Sequence, residues 1–161
     1  MQVRNRFIFS GIVNVIRLPN LNHTLNVNQT VIVSGWSRFN GYISDHLQRV
    51  QLVIGNHKSC RKIYNSELSA KFLFFTYHKK SEVCLSNNGP FRVRELQHFC
   101  AYDPNFMRGN CQFDSGGALT DNGVLVGLVS WGDPLHCGGF DYPVVCIKVS
   151  NYINWINENV G

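Results

Sequence analysis

The most restrictive feature of the chain is the run Val124-Leu125-Val126-Gly127-Leu128-Val129 within residues 123–131. Its apolar residues are nearly continuous, and the run is short and rich in valine. That pattern predicts a buried strand of the kind that lines a barrel. Residues 144–149 repeat it, with Pro143 at the start, where a missing N–H is tolerated. Residues 30–33 are β-branched and end at Ser34-Gly35-Trp36. Residues 47–54 set Leu47, Val50 and Leu52 among Gln48, Arg49 and Gln51, which reads as another strand. Residues 21–30 form an Asn-rich exposed loop and residues 39–45 a polar, Gly-containing turn. Asn56 is expected to cap a short helix through Tyr64 that carries Cys60. A terminal helix over 150–160 places Val149, Tyr152, Ile153, Ile156 and Val160 at helical spacing, with Ser150 as its cap. Short strands separated by turns and closed by one helix predict an all-β fold, an antiparallel barrel with a C-terminal α-helix.

The bulk numbers narrow the class. A chain of 161 residues is one ordinary domain, long enough to bury a core. Hydrophobic content of 44% against 16% charged residues argues against disorder. No apolar run is long enough to span a membrane, so no membrane partner is expected. Six cysteines without a Cys-x-x-Cys pair point to disulfides rather than a metal site. Sequons at Asn22 and Asn28 make both residues candidate glycosylation sites and support a secreted, extracellular protein. The net charge of +5 is localised, because residues 56–95 hold eight Lys/Arg and three acids. Such a basic stretch can steer acidic substrates or polyanions, and its blander reading is a solvated loop. No nucleic-acid motif accompanies it.

Residues 109–119 carry the chemistry. Ser115 lies between Asp114 and the pair Gly116-Gly117. Two residues without Cβ let the backbone turn tightly, lift a hydroxyl toward solvent and aim amides at a developing oxyanion. Taken alone, an Asp-Ser-Gly-Gly segment is more often a plain surface loop.

Together with Cys100-Ala101-Tyr102, with Val126-Gly127-Leu128-Val129-Ser130-Trp131-Gly132 and with the terminal helix, the box Phe113-Asp114-Ser115-Gly116-Gly117-Ala118 resembles the chymotrypsin-like (trypsin-type, S1) serine endopeptidases. The resemblance runs from about Val13 to Val160 and covers the family's C-terminal half, its second Greek-key barrel. It implies a serine endopeptidase that works through an acyl-enzyme on protein or peptide substrates, without a cofactor. Residues 1–19 become the connector from a missing N-terminal barrel; the competing reading is a signal-like basic and apolar leader. The family orders its triad as His, Asp, Ser. None of His23, His46, His57, His78 and His98 stands in the family's histidine context, and Asp45 sits in a turn. Ser115 is therefore the expected catalytic residue of this chain, and the general base and its aspartate belong to the missing barrel. The chain alone is expected to be inactive.

Further roles follow from the same resemblance. Asp114 matches the aspartate that pairs with the new N-terminal ammonium after activation cleavage. The backbone N–H groups of Phe113 and Ser115 match the oxyanion hole. Most members carry glycine where Phe113 stands, and loss of one donor costs on the order of 2.7–4 kcal/mol in the transition state. Substrate-binding positions are Gly109, Gln112, Ser130, Trp131, Gly132 and Val144. Gly109 supplies no carboxylate at the pocket floor, and Val144 stands where glycine is frequent, so the expected P1 residue is apolar and small to medium. The resemblance pairs Cys60 with Cys100 and Cys111 with Cys137. A further family disulfide is lost on both sides, at Val31 and Asp121. Cys84 and Cys146 are left to pair with each other or to leave Cys146 as a buried thiol. Arg17 stands where some members tether a light chain through cysteine.

Residues 66–97 interrupt the resemblance. They read as an insertion that contacts a substrate or partner, as a decorated loop, or as untranslated sequence read through. Three functional readings compete. The first is half of a secreted protease. The second is a non-catalytic serine protease homologue that acts as a secreted protein-binding module, motivated by Phe113 and the basic insertion. The third is a standalone β-domain, whose exposed half-barrel interface would be poorly soluble.

Overall fold

The computed structural model describes residues 5–36, 45–65, 92–105, 115–133 and 138–159, together with the backbone of 38–39 and 42–43. Six antiparallel strands close into a barrel: β1 (Thr30–Gly35), β4 (Gln48–Ile54), β5 (His98–Tyr102), β6 (Ala118–Asp121), β7 (Val124–Trp131) and β8 (Val144–Lys148). Around the barrel the order is β1-β4-β5-β8-β7-β6, so β5 pairs with β8 and the last three strands fold back onto β1 in a Greek key. A small hairpin, β2 (Arg38–Phe39) with β3 (Tyr42–Ile43), occupies the segment expected to be a turn.

Alternation fills the barrel. Val31 and Val33 on β1, Leu52 and Ile54 on β4, Phe99 and Ala101 on β5, and Val144 and Cys146 on β8 all join one buried cluster with Leu119, Val126 and Val129. The partners in register, such as Val31 with Leu52 and Phe99 with Cys146, carry the same face inward. At Gly127 a Cβ would stand 2.6 Å from Phe99 Cζ, so the missing side chain is what lets the Phe99 ring lie across β7. Leu47, expected in a strand, lies outside β4 and is exposed.

The β6–β7 connection is a two-residue turn, Asn122-Gly123, with φ of 47° and 73°. Both residues are left-handed, which matches the twist of an antiparallel pair. Arg17 crosses this turn. Its Nη2 donates to the Asn122 carbonyl at 2.8 Å, and its own carbonyl accepts from Leu125 N–H at 2.9 Å. Gln29 Nε2 donates to the Asp121 carboxylate, and Val31 is wholly buried in the core. Val31 and Asp121, which the resemblance marks as former disulfide positions, are thus occupied by packing and a polar contact.

Outside the barrel, α1 (His57–Tyr64) packs on β5 and β8 through Cys60, Tyr64, Val93, Cys100 and Val145. Asn56 caps it as expected, with Oδ1 accepting from the Lys58 and Ser59 N–H groups. The Cys60–Cys100 disulfide is formed. Asn65 clasps Val93 at both ends of its amide, donating to Val93 O and accepting from Val93 N–H. Val93 is buried in the cluster under α1, and Gln97 O accepts from Lys148 N–H, so both ends of 93–97 are tied to the body of the fold. The run at 72–77 lies outside the described residues.

The C-terminal element is split. A 3-10 turn (Val149–Tyr152) precedes α2 (Ile153–Asn159). Ser150 does not cap it, because it is buried inside the 3-10 turn and Lys148 holds the cap position without a side-chain bond. Val149 and Ile153 face inward, whereas Tyr152 stays exposed. Among the described residues no helix is long and apolar enough to cross a membrane.

Candidate active site

Ser115 sits at the exposed entry to β6, in a turn that only glycine completes comfortably. Gly116 has φ +85°, in the left-handed region, and no atom stands within 4 Å of the place a Cβ would take. The constraint at Gly116 is therefore backbone conformation rather than space. Two hydrogen bonds fix the turn to β7. Gly116 N–H donates to Val129 O at 2.8 Å, and Val129 N–H donates to Gly117 O at 2.9 Å. Ser115 is exposed, and among the described residues no side chain hydrogen-bonds its hydroxyl.

Strand β7 continues past these bonds. Its register against β8 shifts between Val129 and Trp131, which leaves Ser130 without a partner of its own on β8. Such a bulge re-aims the backbone and is frequent beside active sites. On its other side, β6 pairs with β7 only as far as Leu128 in strand register, with the Gly116–Gly117 turn reaching Val129. Ser130, Trp131 and Gly132 thus continue past the bonds that hold the Ser115 turn, along a strand side that no described strand covers.

Trp131 is half-buried and meets Tyr64 edge to face, with ring centroids 5.0 Å apart. Tyr64 was not singled out from sequence, yet it braces both sides of the site. Its hydroxyl donates to Pro143 O, immediately before Val144, and accepts a backbone hydrogen bond from Asp133, immediately after Gly132. Burial pushes its phenol well above the usual range, so it stays a neutral donor. An aromatic residue at the last buried position of a capped helix was the one available signal. Gly132 and Val144 are both buried, and Val144 packs into the barrel core beside Cys146. Cys146 is a buried free thiol whose pKa is raised by burial, and Cys84 lies outside the described residues.

Gly109, Cys111, Gln112, Phe113, Asp114 and Cys137 also lie outside the described residues. Asp103 N–H donates to Gly138 O at 2.7 Å. Asp103 is buried and its carboxylate accepts from Asn105 N–H. Asn22 and Asn28 are exposed, Asn28 in a left-handed turn. Among the described residues no group of three or more His, Cys, Asp or Glu side chains could hold a metal ion.

Comparison with known proteins fits this geometry. The Trypsin family model matches residues 1–156. Trypsin, alkaline A, of Manduca sexta is 30% identical over 161 residues, covering 99% of this chain and 54% of that protein. Chymotrypsin-2 of Vespa crabro is 27% identical and is covered over 59% of its length. The chain therefore spans little more than half of these relatives. Among solved structures, mouse neuropsin, a serine protease, superposes with a TM-score of 0.74 at 24% identity, over 98% of this chain and 59% of that one, which supports the fold. With its six-stranded barrel, terminal helix and this match over most of its length, the chain belongs to the trypsin family of serine proteases.

Proposed function

We propose that this chain is the serine-bearing half of a secreted endopeptidase and that Ser115 is its nucleophile. The observation that carries this is the Ser115 turn, hydrogen-bonded to β7 beside the uncovered strand side at Ser130–Gly132. An extended peptide laid along that side would pair with the backbone by β-augmentation and bring its scissile carbonyl to Ser115. Ser115 Oγ attacks that carbonyl, and the Oγ proton passes to a histidine of the first barrel. The tetrahedral oxyanion is received by the N–H groups of Phe113 and Ser115, and collapse expels the amine. Asp114 orders this turn by pairing with a new N-terminal ammonium. Water then releases the acyl group. The floor at Gly109 and the buried Val144 favour an apolar P1 residue of small to medium size.

The missing barrel is the first partner. Phe7, Ile8 and Ile12 are 68%, 86% and 96% exposed, an apolar connector that a neighbouring barrel would cover. The Cys60–Cys100 disulfide and the exposed sequons at Asn22 and Asn28 support an oxidising, secretory route.

The test is hydrolysis of peptide anilides by the longer protein that joins this chain to its first barrel, with Ser115→Ala as control. Cleavage after alanine, valine or leucine that disappears in the variant is expected. Preference for arginine would overturn the pocket assignment. Residual cleavage equal in both proteins would remove Ser115 from the mechanism. The second reading, a protein-binding homologue, rests on Phe113. It gains if the longer protein lacks either triad partner.

A further inference from the structure

The charge imbalance seen in the sequence becomes a surface in the fold. Lys58, Arg61 and Lys62 follow one another at i, i+3 and i+4 on α1 and are all exposed. That spacing sets their Cβ atoms roughly 5–6 Å apart on one helical face. With Asn65 they line an open groove of about 270 Å³ in which none of the described lining residues is apolar. The opposite face of α1 is locked down by the Cys60–Cys100 disulfide and by Tyr64, so the cations stand on a rigid base.

The patch extends beyond the helix. Arg61, Glu95 and Lys148 lie within electrostatic reach of His57, while Arg94 and Lys148 lie within reach of His98. The Arg61–Glu95 pair and the Lys148 bond to Glu95 O bring α1, the 94–97 turn and β8 onto one face. Glu95 is the acid in this group. Its pairing with Arg61 is long, at 3.8 Å, and both side chains are more than half exposed, so it neutralises little. Lys148 holds its ammonium on the Glu95 backbone carbonyl at 2.8 Å, and so at the centre of the patch.

We propose that this face binds a sulfated linear polysaccharide. Several chemistries could meet five cations, and the observations choose among them. A protein partner is held by buried aromatic or aliphatic anchors, and the described lining of this groove supplies none. Single-stranded nucleic acid is held by stacking on aromatic side chains, and the described lining residues include none. The Cys60–Cys100 disulfide favours an oxidising compartment, where the abundant linear polyanions are sulfated glycans. Binding through charge alone, on a pre-formed stripe, is what such a ligand needs. The site does not depend on Ser115 or on any reading of its chemistry.

The experiment is salt-gradient elution of the full chain from immobilised heparin, with affinity from surface plasmon resonance. Lys58→Ala/Arg61→Ala/Lys62→Ala should lose about tenfold or more in affinity and flatten the salt dependence. Glu95→Gln should bind about twofold to threefold more tightly, since it removes an opposing charge. Arg6→Ala/Arg49→Ala removes two exposed charges away from the patch and should elute like the parent. Circular dichroism confirms that each variant is folded. Elution of the triple variant with the parent would overturn the proposal, as would an equal loss in the Arg6/Arg49 variant. Displacement from heparin by polyglutamate or duplex DNA at lower concentration than by free heparin would also overturn it, in favour of a protein or nucleic-acid partner.

Discussion

Two apolar stretches of this chain touch each other and are treated oppositely. The stretch Phe7–Leu18, which we read as a connector, leaves Ile8 and Ile12 almost fully exposed, whereas in β7 Val126 and Val129 are 2% and 5% exposed. They meet where Arg17 bridges Val124 and its carbonyl accepts from Leu125 N–H. Composition does not separate them. What does is that β7 has strands on both sides, β6 and β8, while among the described residues the connector joins the sheet only at that bridge. An apolar run is buried only when the topology supplies a facing surface. For the connector, our reading is that a first barrel supplies it.

That contrast can be broken at its buried end. Val126→Asp should cost on the order of 5 kcal/mol and unfold the chain, because a carboxylate would enter a closed core without a partner. Ile12→Asp should stay within about 0.5 kcal/mol in urea denaturation of the same chain. Equal costs at the two sites would remove the distinction. The disulfide is the next largest lever. Cys60→Ala/Cys100→Ala should lose about 4 kcal/mol for a bridge across a separation of 40 residues, read as a lower denaturation midpoint.

Gly127→Ala sharpens the comparison inside β7. A Cβ 2.6 Å from Phe99 Cζ should cost about 1–3 kcal/mol through a displaced ring, and the double variant Gly127→Ala/Phe99→Leu should recover part of it. Arg17→Ala tests the junction itself. It removes the bond to Asn122 O at an exposed turn, with an expected loss of about 0.5–1.5 kcal/mol in thermal unfolding. Arg17→Lys should recover little if the reach to that carbonyl matters.

The smallest effect expected is with pH. Burial first, then nearby positive charge, holds His57 and His98 below the usual histidine pKa. The unfolded chain then binds more protons than the folded one as pH falls through about 6.5. Stability from this source is complete above that value and declines toward pH 5. His57→Asn should lessen the fall in melting temperature between pH 7 and pH 5; an unchanged fall would remove His57 from the effect.

Much of this architecture is legible in the residues. The β7 and β8 runs, the Asn56 cap and the strand ending at Ser34-Gly35 correspond to the elements found. Strands β5 and β6 were missed because they are short, and His98-Phe99-Cys100-Ala101-Tyr102 sends Phe99 and Ala101 into the barrel but Cys100 to the helix side. The Asp121-Asn122-Gly123-Val124 turn is a strong hairpin signal that went unused. At the site, the Ser115 turn follows from Gly116, but its anchoring to Val129 and the bulge at Ser130 depend on strand register, which sequence fixes only through long-range pairing. Tyr64 was invisible for the same reason, since its two partners lie far along the chain.

The most direct measurement for the central claim is fluorophosphonate labelling of the native, activated protein that contains this chain, followed by mapping of the modified residue by mass spectrometry. The account predicts one phosphonyl group on Ser115, lost in Ser115→Ala and after denaturation. A folded protein with both triad partners present that leaves Ser115 unlabelled, while trypsin labels in parallel, would contradict it.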